Sequence, residues 1–214
     1  MYIDCISILY NNAACLSTRL RADAAYGTMG KKEGITVDRL TGERIVLREF
    51  RQEDISGIRS WVNDADTVRY IGGTFMRPQT WEESESYLSN LLNGGAGGVN
   101  LVIADRETKR YLGQCTLMKV DQTAHNAELG IVMAPDSAAR GYGREAVRLL
   151  LDYAFRQMNL NRVYLRVYAE NTRAVRCYSA CGFREEGRQR EQVYFDGHYG
   201  DVLEMGILRR EYEG

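Results

Sequence analysis

The spacing of the apolar residues changes once along this chain, close to Pro135, and this change restricts the fold more than any other feature. Before that proline, the segments 99–105, 111–120 and 126–133 have strand character and are joined by short polar turns. Beyond it, apolar residues recur at helical intervals over residues 147–158. Three successive strands joined by short turns predict an antiparallel meander, and the helix that follows predicts an α+β fold.

Two helices are predicted before the meander. A strand at 44–50 leads into helices at 51–63 and 78–92. The second helix begins with Thr80 and Glu83, which have the S/T-x-x-E spacing of a capping box. Its buried side is predicted to consist of Trp81, Tyr87, Leu88 and Leu91.

The last third of the chain adds a strand, a helix and a hairpin. Residues 162–168 alternate between apolar and polar, as in a strand, and a helix from Asn171 to Cys181 follows with Asn171 as its N-cap. Asp196-Gly197 is the signal for a type I′ turn between two terminal strands. Together these elements predict a mixed, mostly antiparallel central sheet flanked by helices.

The N-terminal segment does not share this pattern. Residues 1–37 show no sustained period, so we expect a loose extension there and a single domain over residues 38–214. Met29 is a second candidate start site, which makes part of the extension a candidate gene-model artefact. A chain of 214 residues with 44% hydrophobic residues is long enough to fill one core.

Charge and cysteine usage exclude several classes of function. A formal net charge of -1 gives no overall field to attract nucleic acid or an anionic membrane, and the arginines of 162–176 are interpreted as solvated faces. The cysteines form no Cys-x-x-Cys pair and His125 lies far from His198, so we expect no metal site. Cys177 and Cys181 are interpreted as structural residues.

The same features predict a cytoplasmic location. All five cysteines are expected to be reduced thiols. The first residues contain Asp4 where a secretory peptide has a basic segment, and no run of about 18 apolar residues occurs.

The stretch ARGYGREA, residues 139–146, has two glycines where a loop becomes the long helix. Helix N-termini have unpaired N–H groups, and Gly141 and Gly143 would let a phosphate approach them closely. A plain tight turn is the simplest alternative. The stretch also fits the dinucleotide pattern G-x-G-x-x-A, with Glu170 near the position of a ribose ligand. We disfavour a nicotinamide or flavin enzyme, because a long loop separates Met133 from Gly141 and little chain remains for further βαβ units.

A second segment of the sequence indicates which anionic ligand the glycine turn binds. ELGIVMAPDSAARGYGREA followed by VYAENTRAVRCYSACGF resembles the GNAT superfamily of acyl-CoA-dependent N-acetyltransferases. That family has a pyrophosphate turn of the form Q/R-x-x-G-x-G/A and a later pattern V-x-x-x-N-x-x-A-x-x-x-Y-x-x-x-G-F. In the turn, Ala138 stands where the family has glutamine or arginine, and Arg140 and Arg144 are expected to supply the missing charge. The later pattern is complete, at Val167, Asn171, Ala174, Tyr178, Gly182 and Phe183.

The resemblance covers about residues 43–210, and its outer segments look like the branch with the ribosomal-protein N-terminal alanine acetyltransferases and the spermidine acetyltransferases. It implies a splayed pair of central strands and acetyl-CoA as the co-substrate. The residues implied to bind acetyl-CoA are Ile131, Val132, Met133, Arg140, Gly141, Gly143, Arg144, Asn171 and Tyr178.

The resemblance also implies two catalytic residues. Tyr178 would protonate the departing CoA thiolate, whereas its position alone favours core packing. Glu128 would act as general base through a water, and a solvated strand carboxylate is the alternative for it. Asn171 is expected to cap its helix and, by the resemblance, to hydrogen-bond the pantetheine arm.

The predicted function is acetyl transfer from acetyl-CoA to a primary amine, such as a protein N-terminus, a polyamine or another small amine. The acceptor is expected to enter between the terminal hairpin and the helices that follow the 44–50 strand. The edge strand of the same hairpin is the candidate surface of a homodimer. An acyl-CoA-binding sensor without transferase activity is the alternative. The acidic candidates for binding a cationic amine are Asp54, Asp66, Glu191 and Asp201.

Overall fold

The computed structural model describes residues 40–71, 75, 77–95 and 97–212. The predicted extension, residues 1–37, and Met29 lie outside the described residues. Within these ranges the chain forms eight strands and five α-helices. The strands are β1 (Leu40–Thr41), β2 (Ile45–Arg48), β3 (Val99–Asp105), β4 (Tyr111–Asp121), β5 (Asn126–Met133), β6 (Arg162–Tyr168), β7 (Arg184–Phe195) and β8 (His198–Leu208). The helices are α1 (Ile55–Val62), α2 (Ala65–Val68), α3 (Trp81–Leu92), α4 (Tyr142–Asp152) and α5 (Thr172–Ser179).

All the strands belong to one sheet in the order β1-β2-β3-β4-β5-β6-β8-β7. Neighbouring strands are antiparallel except β5 and β6, which confirms the meander of β3, β4 and β5 and the mixed, mostly antiparallel sheet. β5 and β6 pair only from Asn126 to Glu128, opposite Arg162 to Tyr164. The two strands separate beyond Glu128, and this separation is the splay that the resemblance implies.

The two faces of the sheet have separate apolar cores. On one face, Val147 and Leu150 of α4 are buried with Leu129 of β5 and Leu165 of β6. α1 and α3 cover the other face around Trp61, which is fully buried. Side chains alternate along a strand, so every second residue of β5 and β6 packs under α4 and the residues between them point to the opposite face of the sheet.

Several local signals have the predicted effect. Thr80 and Glu83 form the reciprocal capping box at the start of α3. Asp196 and Gly197 connect β7 to β8 with left-handed backbone, at φ values of 48° and 84°, as a type I′ turn requires.

One predicted feature of the helices is wrong. Trp81 is half exposed, and at the first position of α3 its indole N–H donates to Glu85 while the guanidinium of Arg59 covers its ring. The long helix continues to residue 157 as its apolar spacing predicts, but residues 153–157 form a π-helical turn.

Candidate functional site

The separation of β5 and β6 opens a cavity of about 990 Å³, which we call the splay cavity. The start of α4 and helix α5 form its wall on one side, and α2 and the β7–β8 hairpin form its wall on the other. The cavity therefore connects the two faces of the sheet. Its lining includes Tyr70 near α2, Ile131, Val132 and Met133 of β5, Gly141, Gly143 and Arg144 at the start of α4, Tyr168 of β6, Asn171 and Tyr178 around α5, and Tyr194 and Tyr199 of the hairpin.

The loop before α4 has the backbone conformation of an anion-binding turn. Ala139 and Gly141 have left-handed backbone, with φ values of 60° and 86°, on either side of Arg140. Such alternation directs successive N–H groups towards one side. Gly141 is the N-cap of α4, and no described side chain caps this helix, so its first N–H groups are available to a ligand. Because Gly141 and Gly143 both line the splay cavity, this turn fits a phosphate group.

Arg44, the residue before β2, brings a positive charge to this turn. Its Nη1 donates to the carbonyl of Arg140 at 3.0 Å, and its Nη2 lies 3.1 Å from where a Cβ on Gly141 would be. Glu145 in the first turn of α4 accepts hydrogen bonds from the Nε (3.1 Å) and the main-chain N–H (2.8 Å) of Arg44. The guanidinium also lies over the ring of Tyr142, 5.0 Å from its centroid. These contacts fix Arg44 beside the cavity, which it lines.

No signal in the sequence links Arg44 to the turn, since 96 residues separate it from Arg140. Of the two arginines expected to replace the charge missing at Ala138, Arg144 lines the splay cavity, whereas the side chain of Arg140 is not part of the lining. Arg140 contributes its carbonyl, which holds Arg44.

Helix α5 adds two further arginines to the cavity wall. Arg173 and Arg176 line the splay cavity, although the sequence suggested a solvated face for them. Neither they nor Arg144 form an ion pair with any carboxylate in the described ranges. Several uncompensated guanidinium groups around one turn create a local positive field that suits a polyphosphate ligand.

The predicted pantetheine edge of β5 is open on the side of β6. From Leu129 to Met133, β5 pairs in register with β4, and its recorded pairing with β6 ends at Glu128. Ile131, Val132 and Met133 all line the splay cavity. Main-chain groups of an unpaired strand edge can hydrogen-bond an extended amide-bearing ligand, so this edge fits the expected partner.

Helix α5 brings Asn171 and Tyr178 to the same cavity. Asn171 Oδ1 accepts a hydrogen bond from the N–H of Ala174 at 3.1 Å, which confirms its predicted role as N-cap. Tyr178 is only 8% exposed, and its ring packs edge-on against Phe183 at 5.8 Å. Tyr178 is therefore both part of the core and part of the cavity wall.

Glu128 occupies the last paired position of β5, opposite Tyr164, where the splay begins. Its side chain is fully buried, and its Oε2 lies 2.6 Å from Nζ of Lys119. The alternative of a solvated carboxylate is therefore wrong. Glu128 itself is not part of the cavity lining, whereas Gly130, the next residue on the same face, lines the cavity. The side chains of Met118 and Thr116 lie over Gly130, 2.9 Å and 3.1 Å from where its Cβ would be.

The two cysteines beside Tyr178 differ from each other. Cys181 is buried, as expected of a structural cysteine, but Cys177 is half-buried and lines the splay cavity. A hydrogen bond from the thiol of Cys181, helped by the charges of Arg144 and Arg148, lowers the pKa of Cys177. Cys177 is thus open to ligands of the cavity, which its helical spacing did not indicate.

Few acidic groups face the cavity. Of the four acids considered as partners of a cationic amine, Asp66 alone is in the described lining. Asp54 is buried and accepts two hydrogen bonds from Arg48, both at 2.8 Å. Asp201 accepts a hydrogen bond from the N–H of Glu191 at 2.9 Å, which lowers the pKa of Asp201.

The cavity wall opposite α4 is aromatic. Tyr70, which follows α2, packs edge-on against Tyr168 of β6 and Phe195 of β7, both at 6.1 Å. Arg69 forms an ion pair with Asp196 in the hairpin turn. These contacts join α2 and the two residues after it, which we call the α2 segment, to the hairpin at the mouth of the cavity. The acceptor was expected to enter there.

Comparisons with known proteins identify the family. A family model described as an acetyltransferase (GNAT) domain matches residues 44–184. A spermidine N(1)-acetyltransferase from Vibrio cholerae is 31% identical over 170 residues, which cover 79% of this chain and 95% of that protein. A putative ribosomal N-acetyltransferase from Bacillus subtilis is 33% identical over 102 residues, covering 48% of this chain and 56% of that protein.

A comparison with solved structures gives the same family. The crystal structure of spermidine N-acetyltransferase from Vibrio cholerae in complex with CoA and spermine matches with a TM-score of 0.70 and 29% identity, covering 80% of this chain and 99% of that chain. The family match includes both the glycine turn and the segment with Asn171 and Tyr178. The chain therefore belongs to the GNAT acetyltransferase family, and it is an acetyl-CoA-dependent enzyme that transfers acetyl groups to amines.

Proposed function

We propose that the splay cavity is the active site, which binds acetyl-CoA from the α4 side and the acceptor amine from the α2 side. The single observation that supports this most is the opening of the sheet beyond Glu128, because the resulting cavity runs from the turn at Gly141 past Tyr178 to the hairpin. An extended thioester bound at the turn can then present its acetyl group to an amine on the opposite face.

The phosphates would be held at the turn. N–H groups of the first turn of α4 would bind the pyrophosphate where Gly141 and Gly143 leave room for it, with Arg44 and Arg144 as charged partners. Arg140 would act indirectly, since its carbonyl orients Arg44. Arg173 and Arg176 of the α5 wall would bind the remaining phosphate of CoA.

The pantetheine arm would lie in the gap between β5 and β6. Its amides would pair with the open edge of β5 at Ile131, Val132 and Met133 and with the side chain of Asn171. The bound co-substrate supplies the acetyl thioester. The same edge would orient that thioester towards the acceptor side of the sheet.

Two side chains would move protons in the reaction. A primary ammonium must lose a proton before its nitrogen can attack a carbonyl, and Glu128 would accept this proton through a water. The hydroxyl of Tyr178 would donate a proton to the departing sulfur. This role of Tyr178 favours a transferase over a sensor that only binds acyl-CoA.

We further propose that the acceptor is a small amine rather than a polycation. The similar proteins are named for spermidine and for ribosomal substrates. Four of the five arginines that line the cavity would be engaged by the phosphates of CoA, namely Arg44, Arg144, Arg173 and Arg176. On the acceptor side, the described lining has one carboxylate, Asp66, and one arginine, Arg166. A polyamine with several ammonium groups would therefore find a single counter-charge there.

Release of free CoA thiol from acetyl-CoA over a panel of amines tests the proposed function. We expect amine-dependent thiol release with at least one small amine and saturable binding of acetyl-CoA in calorimetry. If acetyl-CoA binds but no amine accelerates thiol release, the sensor is the correct interpretation.

The role of Glu128 is tested by Glu128→Gln. We expect kcat to fall about 100-fold, because the proton acceptor is removed while the side-chain volume is kept. Steady-state kinetics with an amine that the wild-type enzyme acetylates measure this effect.

The control for Glu128 is the double variant Glu128→Gln with Lys119→Gln, which replaces the ion pair of buried Glu128 with the more exposed Lys119 by two neutral amides. A base cannot be restored by neutralising its partner, so the double variant should stay as slow as the single one. Recovery of wild-type kcat in the double variant would show that only the charge balance matters.

Three further expectations remain predictions. We propose a homodimer through the edge strand β7, a single domain from residue 38 onwards, and a cytoplasmic location. β7 is the last strand of the sheet and most of its residues are exposed, which supports the first of these. For the third, no helix in the described part of the chain is long and apolar enough to span a bilayer.

A further inference from the structure

Arg166 differs from the other arginines of the splay cavity in the face of the sheet that it occupies. Arg44 and Arg144 lie around the start of α4, and Arg173 and Arg176 lie on α5. On β6, the neighbours of Arg166 on both sides belong to the core under α4. Because side chains alternate along a strand, Arg166 points to the opposite face, which it shares with Tyr168 and the α2 segment.

The guanidinium of Arg166 is oriented but forms no direct ion pair within the described ranges, although Glu204 is its partner in register on β8. Its Nη2 donates to Oε1 of Gln189, and Nε2 of Gln189 donates in turn to Glu204 at 2.8 Å. Its Nε is buried and has no hydrogen-bond partner in the part of the chain that the structure describes. No ion pair joins Arg166 to a carboxylate of these residues. Glu204 contacts Arg166 only through Gln189, so donors of the guanidinium remain for a ligand, and their planar fork matches a carboxylate.

The position of Arg166 along β6 is close to the proposed point of reaction. Tyr164 is the partner of Glu128 at the start of the splay, and Arg166 is the next residue on the same face, about 7 Å further along the strand. If the register of β5 and β6 is extended two residues beyond the pair of Glu128 and Tyr164, Arg166 lies opposite Gly130. The gap between these two residues is the one that the acetyl group would occupy. A small molecule bound to Arg166 would therefore reach this gap.

We infer that the acceptor is an amine that also carries a carboxylate, and that Arg166 binds this carboxylate while the amino group lies at the splay. The substrate class is thus small amino acids and related zwitterionic amines. Tyr70 and Tyr168 form the aromatic wall beside Arg166 and contact the rest of the molecule. This inference rests on the proposed function of the splay cavity as the acetyl-transfer site.

Matched acceptors test the inference in the wild-type enzyme. The panel contains amino acids, their carboxamides, the corresponding decarboxylated amines, and spermidine. We expect kcat/KM to be about 10- to 100-fold higher for the amino acids than for their carboxamides, which is the range for a hydrogen bond between charged groups. Calorimetry on the CoA-loaded protein should show the same preference without turnover.

The variant Arg166→Gln should abolish this preference. Its kcat/KM should fall about 10- to 100-fold for amino acids but change little for carboxamides, and its affinity for acetyl-CoA should stay at the wild-type value. The control is Arg162→Gln on the same strand and face, which removes a partly exposed ion pair with Glu186 and should keep the preference.

The outcomes separate the inference from the proposed function. The inference is overturned if kcat/KM for carboxamides, decarboxylated amines or spermidine equals that for amino acids. It is also overturned if Arg166→Gln slows all acceptors equally. In both cases the acetyl-transfer site stands. If acetyl-CoA binds and no acceptor of this panel is acetylated, the inference is overturned, and the proposed function fails as well if no other amine accelerates thiol release.

Discussion

The variant Tyr178→Phe should reduce kcat about 100-fold or more while the dissociation constant of acetyl-CoA stays within a few-fold of the wild-type value. The substitution removes one hydroxyl and keeps the ring, which packs against Phe183 in the core. The phosphate-binding groups at the turn are untouched. Steady-state kinetics with an active amine and calorimetry with acetyl-CoA measure the two quantities separately.

A matched control for Tyr178 is Tyr212→Phe. The hydroxyl of Tyr212 donates to the carbonyl of Arg148 at 3.2 Å, and Tyr212 is not among the lining residues of the splay cavity. Loss of that hydroxyl should leave kcat unchanged. Wild-type turnover by Tyr178→Phe, under conditions where chemistry limits the rate, would remove Tyr178 from the mechanism and leave it as a core residue.

The variant Gly143→Leu should weaken acetyl-CoA binding about 100-fold or more without unfolding the protein. Gly143 does not have left-handed backbone, and a Cβ there would lie 3.7 Å from Cγ of Met133 and 3.9 Å from Cδ1 of Ile131, which is ordinary van der Waals contact. The rest of a leucine side chain would extend into the cavity and separate the phosphates from the N–H groups. Each lost hydrogen bond to a charged group weakens binding about 10- to 100-fold.

The control for this prediction is Gly143→Ala, whose Cβ fits and which should bind acetyl-CoA within a few-fold of wild type. Equal thermal unfolding temperatures of the three proteins would show that the fold is intact. Gly141 is less useful for this test, because its φ of 86° strains any other residue and a Cβ would lie 3.1 Å from Nη2 of Arg44. Tight binding by Gly143→Leu would mean that the turn is not the phosphate site.

Much of the fold could be predicted because its signals are local. The capping box at Thr80, the N-cap at Asn171 and the type I′ turn at Asp196 each depend on hydrogen bonds or dihedral angles within a few residues. Trp81 shows the limit of helical periodicity. The period predicts which face of a helix a residue occupies, but not whether a neighbouring element covers that face along its whole length. Trp81 lies in the first turn of α3 and is half exposed.

The candidate site could be predicted where its residues lie close together in sequence. The segment from Val167 to Phe183 contains the spacing of Asn171 and Tyr178, and the turn contains Gly141 and Gly143. Arg44 and Arg166 could not be found in this way. Their relevance depends on which face of which strand they occupy and on which carboxylates lie near them.

The sequence by itself determined the order of the longer strands and helices, the glycine turn at the start of α4 and the family, since all of these depend on residue types at short, fixed spacings, whereas the short elements β1 and α2 were not predicted. Only the tertiary structure decided that β5 and β6 part after Glu128, that Glu128 is buried against Lys119, and that five arginines and one carboxylate face the same cavity. Burial and charge compensation are sums over neighbours that are distant in sequence. Such sums follow from the packed chain and not from any one segment of it.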